Sequence, residues 1–384
     1  RMLNKNAANS LSACHFGRNT MKHKIGFIGL GLIGGSIAKA IRQYYPDYEI
    51  VAFDKNKEAL ALATQESIIN VAATAIDGNF RQCSYIFLCA PVVCNAAYLK
   101  QMKPFLSYDC ILTDVGSVKT NINEEAQALG MGKYFIGGHP MAGSEKTGFS
   151  NSKAMLIENA YYILTPSKEV SQEKINRFEE FIKTLHAIPL VLDYGQHDYV
   201  TGAISHLPHI IASSLVNFIR DHDTKEELMK NLAAGGFKDI TRIASSSPTM
   251  WQHICLSNRK NISEILGSYI ESLQDFKRLI DDSDEQSLYR NFDTSRNYRN
   301  AIPSASSGPI KKAYAVYCDI IDEAGGIAAI ATILASNGLN IKNIGIVNNR
   351  EFEEGVLRIE FYDEASSKRA AKLLQKFRYI VYER

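Results

Sequence analysis

The chain has 384 residues, 46% hydrophobic and 22% charged, with a formal net charge of +2. At about 150 residues per domain this length predicts two to three domains with ordinary globular cores. The balanced charge, with no run of five like charges, points away from nucleic acid or an anionic membrane surface as the main partner, and no unbroken apolar run reaches the roughly 18 residues of a membrane span.

Residues 1–21 are polar, lack acidic side chains and show no sustained periodicity. They read as a disordered extension ahead of the fold, with a targeting role as the alternative. From Lys24 the pattern is β then α, repeated. Lys24–Ile28 is a short apolar strand, followed by a glycine turn and a helix to about Tyr44. Glu49–Phe53, Ser84–Cys89 and Cys110–Asp114 are further strands, each followed by a helical stretch. Tyr134–Ile136, Tyr161–Leu164 and Pro189–Leu192 are weaker strand candidates. Apolar strands alternating with helices imply a mostly parallel sheet covered on both faces, so residues 22–193 are read as a Rossmann-type α/β domain.

Residues 194–293 change character. Residues 195–220, 223–235, 239–257 and 259–285 carry helical periodicity, with Pro208 marking a kink and Pro248 a boundary. This all-α block has more apolar surface than it can bury within itself, so it is expected to cover the excess against the first domain or a second copy. Residues 294–311, rich in Ser, Asn and Pro, read as a linker. The pattern then restarts over 312–384. Ala313–Cys318 is a strand, Gly326–Ser336 a helix, Asn340–Ile346 and Val356–Phe361 a hairpin across Asn348-Asn349, Glu364–Lys376 a helix and Arg378–Tyr382 a strand. That βαββαβ order is the ferredoxin-like α+β unit. The seven cysteines are scattered, mostly in apolar stretches and without C-x-x-C spacing, which suits reduced thiols in a cytoplasmic protein.

The turn Gly29-Leu30-Gly31-Leu32-Ile33-Gly34 follows a strand and opens a helix, and Asp54 ends the next strand. A G-x-G-x-x-G in that context is a dinucleotide fingerprint. Gly29 permits the tight turn, Gly31 a close backbone approach to the pyrophosphate, and Gly34 close helix–strand packing. The helix N-terminus offers unpaired N–H groups to the phosphates. Asp54 can bond the ribose 2′-hydroxyl and would repel a 2′-phosphate, so NAD is favoured over NADP. Ala90 and Pro91 follow the third strand, at the carboxyl edge where ligands sit in this fold; a plain loop is the alternative.

Two later segments carry candidate chemistry. In Asp114-Val115-Gly116-Ser117-Val118-Lys119, Ser117 either bonds a substrate hydroxyl or caps the following helix. In Gly137-Gly138-His139-Pro140-Met141-Ala142-Gly143-Ser144-Glu145, His139 sits on a glycine-rich loop, where an imidazole suits removal of a hydroxyl proton. In the helical block, His206 and His209 lie three apart on one face; no Cys, Asp or Glu completes a metal set, so no metal is expected. Gly235-Gly236 marks a break or a close approach, and Arg242 beyond it is able to hold a carboxylate or to form an ordinary ion pair. Trp251, the only tryptophan, is assigned to the core.

Taken together, the glycine turn with Asp54, D-x-G-S-x-K at 114–119, H-P-M-A-G-S-E at 139–145, H-L-P-H at 206–209 and G-G-F-K-D-x-T-R-I at 235–243 resemble the prephenate/arogenate dehydrogenase family of tyrosine biosynthesis, over about residues 23–295. The tail at 313–384 resembles an ACT domain, with Asp322-Glu323-Ala324-Gly325 at its ligand-loop region. The resemblance implies oxidative decarboxylation of prephenate, with His139 helping to remove the hydroxyl proton and Ser117 as a second hydroxyl contact. It also implies Arg242 as a carboxylate ligand, and His209 and Glu145 lining the substrate pocket. It implies a homodimer built on the helical block, and tyrosine as an effector at the tail. Arogenate is the rival substrate. A β-hydroxyacid dehydrogenase is disfavoured because Ile33 stands where that family carries Met. A non-catalytic NAD or amino-acid sensor is the reading of another class.

Overall fold

The computed structural model describes residues 23–143, 146–302, 314–319, 325–347 and 356–382. The chain divides into two compact units, 1–304 and 305–384.

The first unit opens with β1 (Lys24–Ile28), α1 (Leu32–Tyr44), β2 (Glu49–Phe53), α2 (Lys57–Gln65), β3 (Val71–Ala73), β4 (Tyr85–Leu88), α3 (Val92–Met102), β5 (Ile111–Asp114) and α4 (Thr120–Ala128). The strands form one parallel sheet in the order β3-β2-β1-β4-β5. Beyond the Lys24–Glu49 ion pair at their start, the inner strands are apolar because both faces are covered. On one face the rings of Tyr85, Phe87, Tyr162, Phe178 and Phe181 pack together; on the other Phe80, Ile86, Leu88, Leu112 and Phe135 are buried. β3 carries too little apolar sequence to have been read in advance.

β6 (Ile136–Pro140), β7 (Tyr161–Pro166), α5 (Gln172–Thr184) and β8 (Ile188–Val191) follow, with strand order β6-β7-β8 and a parallel bridge from Leu112 to Phe135 linking this sheet to β5. β6 thus emerges beside the carboxyl end of β5, which brings His139 next to the Asp114–Lys119 turn.

The helical region comprises α6 (Tyr194–Thr201), a π turn at Gly202–His206, α7 (Leu207–His222), α8 (Leu228–Asn231), α9 (Gly235–Thr241), α10 (Pro248–Ser257), α11 (Arg259–Asp281) and α12 (Glu285–Ala301). Asp193 starts it by accepting from the Gly195 and Gln196 N–H groups. Pro208 follows the π turn, where the changed hydrogen-bond pattern accommodates a residue without an N–H. Three expectations are corrected. Residues 223–235 are not one helix, because the Asp223 carboxylate draws in the N–H groups of Met229 and Lys230 and Glu227 takes a left-handed φ of +53°. The stretch 239–257 is divided by a 3₁₀ turn at Arg242–Ser245 and restarted where Ser247 caps α10. The stretch from 294, read as linker, continues α12 to Ala301. In addition, the helical run Tyr194–His222 is, by length and composition alone, long and apolar enough to cross a membrane, although its apolar residues are interrupted along the sequence.

The second unit has β9 (Tyr314–Asp319), α13 (Gly326–Ser336), β10 (Asn343–Val347), β11 (Val356–Phe361), α14 (Glu364–Lys376) and β12 (Val381–Tyr382), with antiparallel order β10-β11-β9-β12. Both helices bury their apolar stripe on the sheet through Ile330, Leu334, Ala370 and Leu374. This is the expected ferredoxin-like arrangement. The turn at Asn348-Asn349 and the segment Asp322-Glu323-Ala324 lie outside the described residues.

A Cβ on Gly138 would sit 2.6 Å from the Asp114 carbonyl oxygen and 2.9 Å from Thr113 Oγ1, both in the buried seam between β5 and β6. Gly138→Ala is therefore expected to lower stability by about 1–3 kcal/mol in urea denaturation; an unchanged midpoint would contradict this packing.

Candidate active site

The glycine turn shows three different reasons for glycine. Gly29 has φ +99°, and a Cβ there would meet the Cys89 carbonyl carbon at 2.8 Å and Ala90 N at 2.9 Å. Gly34 packs so tightly that a Cβ would lie 2.5 Å from the Gly29 oxygen. Gly31 is different: its φ of −78° suits any residue, and no protein atom lies within 4 Å of a Cβ built there. The protein itself does not require glycine at 31, so the close approach it permits is to a ligand. Asp54 Oδ2 accepts from Leu30 N at 2.6 Å and Oδ1 from Asn56 N at 2.7 Å, which fixes the carboxylate at the end of β2 with lone pairs to spare. Leu32 and Ile33 form the first turn of α1, which has no side-chain cap. Pro91 precedes α3 at its N-cap position. The residues present fit a dinucleotide.

His139 lies on β6, half-buried, with its Nδ1 2.8 Å from His197 Nε2. His197 Nδ1 lies 2.8 Å from Asp198 Oδ1. The Asp198 carboxylate also accepts the backbone N–H groups of Lys119 at 2.7 Å and Thr120 at 2.8 Å, the first of α4. Burial pushes the Asp198 pKa up, but hydrogen bonds from His197, Thr120 and Lys119 outweigh it and hold the group below its ordinary value. An ionised carboxylate only accepts, so with both rings neutral the tautomers follow. His197 donates Nδ1–H to Asp198, its Nε2 accepts Nδ1–H of His139, and His139 Nε2 is left with a free lone pair. Burial first, then the neighbouring His197, Lys119 and His206, hold the His139 pKa well below 6.5.

Lys119 and Asp114 form a fully buried ion pair beneath this chain. Asp114 Oδ2 takes the Lys119 ammonium and Gly116 N, its Oδ1 takes Gly138 N at 3.3 Å, and Lys119 Nζ also donates to the Gly138 carbonyl at 2.8 Å. Both backbone groups of Gly138, the residue preceding His139, are thereby held.

A second cluster lies in the helical region. His209 stacks on Trp251 with ring centroids 3.7 Å apart, and His206 meets the same indole edge-on at 6.0 Å. Asn258 Nδ2 donates to the Asp198 carbonyl at 2.7 Å and to His206 Nδ1 at 3.1 Å, tying this cluster to the first. Burial pushes His206 down to about 4, with His197 and His209 adding to it against Asp198. Burial and the Arg242 charge also lower His209, against its bond to the Ser205 carbonyl. Arg242 itself is exposed at the head of the 3₁₀ turn.

Of the residues singled out in the sequence, His139 stands in the buried relay and His209 with Arg242 in the second cluster. Ser117 sits in the bend before α4, half-buried; it does not cap that helix, which starts at Thr120 under the Asp198 carboxylate. Trp251, assigned to the core, instead stacks on His209. Glu145 lies outside the described residues. Sequence reasoning missed His197, Asp198, Lys119, Asp114 and Asn258 as site residues. The one available signal was the adjacent His197-Asp198 pair early in a helix, an acid beside an imidazole.

Family comparison agrees with this geometry. Two family profiles match: prephenate dehydrogenase, nucleotide-binding domain, over residues 37–189, and prephenate dehydrogenase, dimerization domain, over 193–294. The chain is 36% identical to a prephenate dehydrogenase of Bacillus subtilis over 93% of this chain and 97% of that one. Among solved structures, prephenate dehydrogenase of Aquifex aeolicus in complex with hydroxyphenyl propionate and NAD⁺ superposes with a TM-score of 0.70, at 32% identity, over 74% of this chain and all of that one. Synechocystis arogenate dehydrogenase gives 0.66 at 29% identity, over 72% and 99%.

Because Gly31 meets no protein atom, Gly31→Ala is expected to leave thermal stability within about 0.5 kcal/mol of the parent. It should weaken NAD binding by about tenfold or more, measured by calorimetry. Equal affinity would remove the turn from the cofactor site.

Proposed function

The chain belongs to the prephenate dehydrogenase family, and we propose that it catalyses the NAD-dependent oxidative decarboxylation of prephenate to 4-hydroxyphenylpyruvate. The observation that carries this reading is the relay His139–His197–Asp198, which leaves one imidazole nitrogen free to take a hydroxyl proton. NAD, held by Gly29 to Gly34 with Asp54 at its ribose and Ala90 and Pro91 alongside, supplies the hydride acceptor when bound.

The remaining work belongs to the side chains. His139 Nε2 removes the carbinol proton, and Asp198 stabilises the charge that results through His197. Ser117 gives the substrate hydroxyl a second contact from the turn beside β6. Arg242 and His209 hold the carboxylate end, with Trp251 keeping His209 in place by stacking. Glu145 is assigned to the entrance of the same pocket. These groups treat the ring end of prephenate and of arogenate alike, so the choice between them rests on the other end of the substrate. A sensor without catalysis is disfavoured because such a protein has no need of a base with a directed proton acceptor.

The exposed apolar residues Tyr199, Val200, Ile204 and Phe218 on α6–α7 and Ile270 and Leu273 on α11 support a homodimer formed through the helical region, which also explains the hydropathy of Tyr194–His222 without a membrane. Tyrosine, acting on residues 312–384, is proposed as the feedback effector, and the cytoplasm as the compartment.

NADH absorbance is the direct assay. Prephenate with NAD is expected to give NADH, arogenate less, and tyrosine to slow the reaction; no NADH from either substrate would overturn the assignment. Removal of residues 312–384 should abolish the tyrosine effect, and unchanged inhibition would take the tail out of the regulation. His139→Asn is expected to cut kcat by about 10²–10⁴ while NAD binding is retained. The pH profile follows from the lowered pKa. A base held well below 6.5 is unprotonated at neutrality, so kcat/KM should stay level as the pH falls from neutrality to 6.5 and drop only well below it.

A further inference from the structure

A lysine with no solvent exposure is uncommon, and this one is not explained by the substrate or cofactor assignments above. Lys119 precedes α4. Its backbone N–H caps onto Asp198, and its ammonium reaches Asp114 and the carbonyl of Gly138, the residue before His139. Among the described residues, the charged or titratable groups around His139 are Asp114 from β5, Lys119 ahead of α4, His197 and Asp198 from α6 and His206 from the π turn. The ammonium bonds the Gly138 carbonyl, one residue before His139, and the Asp198 carboxylate touches His197.

We propose that Lys119 is a positioning residue for the proton transfer: it pins the peptide carrying His139 and makes that imidazole a poor resting place for the proton, which passes on to His197. This rests on the dehydrogenase reading above. The substrate O–H bond breaks and an N–H bond forms at His139 Nε2. The Nδ1–H bond of His139 breaks and an N–H bond forms at His197 Nε2, each nitrogen keeping its electron pair. The positive charge ends on His197 against the Asp198 carboxylate, and the oxygen keeps the pair that becomes its carbonyl bond as the hydride leaves. Like-charge repulsion from Lys119 favours this second transfer, and the 2.8 Å contacts on both sides of His197 give it a path. The two tautomers deduced for the resting protein are the ones it requires.

Two measurements on the full-length protein test this. In Lys119→Met, loss of the cation should raise the proton affinity of His139. The acidic limb of kcat/KM then moves to higher pH by about one unit or more, kcat falls, and KM for NAD changes little. A limb that stays in place overturns the proposal. Because Asp114 is left buried without its partner in that variant, ¹⁵N spectra of histidine-labelled wild-type protein provide the second test. On acidification the His139 ring should gain its second proton only well below pH 6.5. Uptake at an ordinary imidazole pH would mean that Lys119 does not disfavour the proton there and would overturn the proposal. This measurement needs no substrate, so it stands or falls separately from whether prephenate is turned over.

Discussion

The Asp198 carboxylate is the point on which the site depends. It receives two backbone N–H groups from the start of α4 and the ring N–H of His197, with no solvent to substitute for them. Hydrogen bonds to a buried charge contribute about 1.5–3 kcal/mol each, and a helix N-terminus adds favourable field. The group therefore joins α6, from the helical region, to α4, from the nucleotide-binding region, and its ionisation dictates which nitrogen of each histidine carries a proton. Domain contact and catalytic tautomer are set by one group, so neither is free to drift without the other.

The way α6 continues explains how one helix serves two clusters. His197 and Asp198 are consecutive, so they project about 100° apart on a helix. One reaches forward to β6 and the other back to α4. Beyond Thr201 the π turn widens the backbone, and Pro208 is accommodated there because a missing N–H costs little where the hydrogen-bond pattern already changes. His206 and His209 emerge on the far side of that turn, facing Trp251. Asn258 then bonds both the Asp198 carbonyl and His206, so the widened segment is held at both ends.

Much of this was legible in the sequence where the cause is local. Gly29 needs positive φ and Gly34 needs close packing, and each reason acts within one turn. His139 stood out beside two glycines, although the stretch read as a loop is strand β6 at that residue. The βαββαβ order of the tail was readable from alternation and turns. What was not legible depends on contacts distant in the chain. His197 and Asp198 lie 58 residues or more from His139, inside a helix where a histidine is ordinarily structural. Lys119 lay within a quoted segment, but nothing in the string D-V-G-S-V-K says that its side chain turns inward to Asp114. Helix ends were misread where a side chain intervened. Asp223 captures two N–H groups and ends the pattern early, whereas the polar composition after residue 294 hides a helix that lacks any buried residue.

The charges of the buried site show why a base is stable there. Asp114 and Lys119 are a buried pair whose separation would cost about 3–5 kcal/mol, so the ammonium is fixed where it is, against the Gly138 carbonyl. Asp198 remains, an uncancelled negative charge beside two neutral imidazoles. The resting cluster is therefore short of one positive charge, and the arrival of one proton makes it neutral. Burial alone would resist an imidazolium, as the lowered His139 value shows. Placing the unmatched carboxylate one histidine further in lets the site refuse a proton from solvent at neutral pH and still stabilise the proton delivered by a bound hydroxyl. A single histidine on an apolar wall would be unprotonated but would have nowhere to send the charge. The intervening His197 gives that charge a place beside Asp198, and it is the reason two histidines, rather than one, stand between the substrate and the carboxylate.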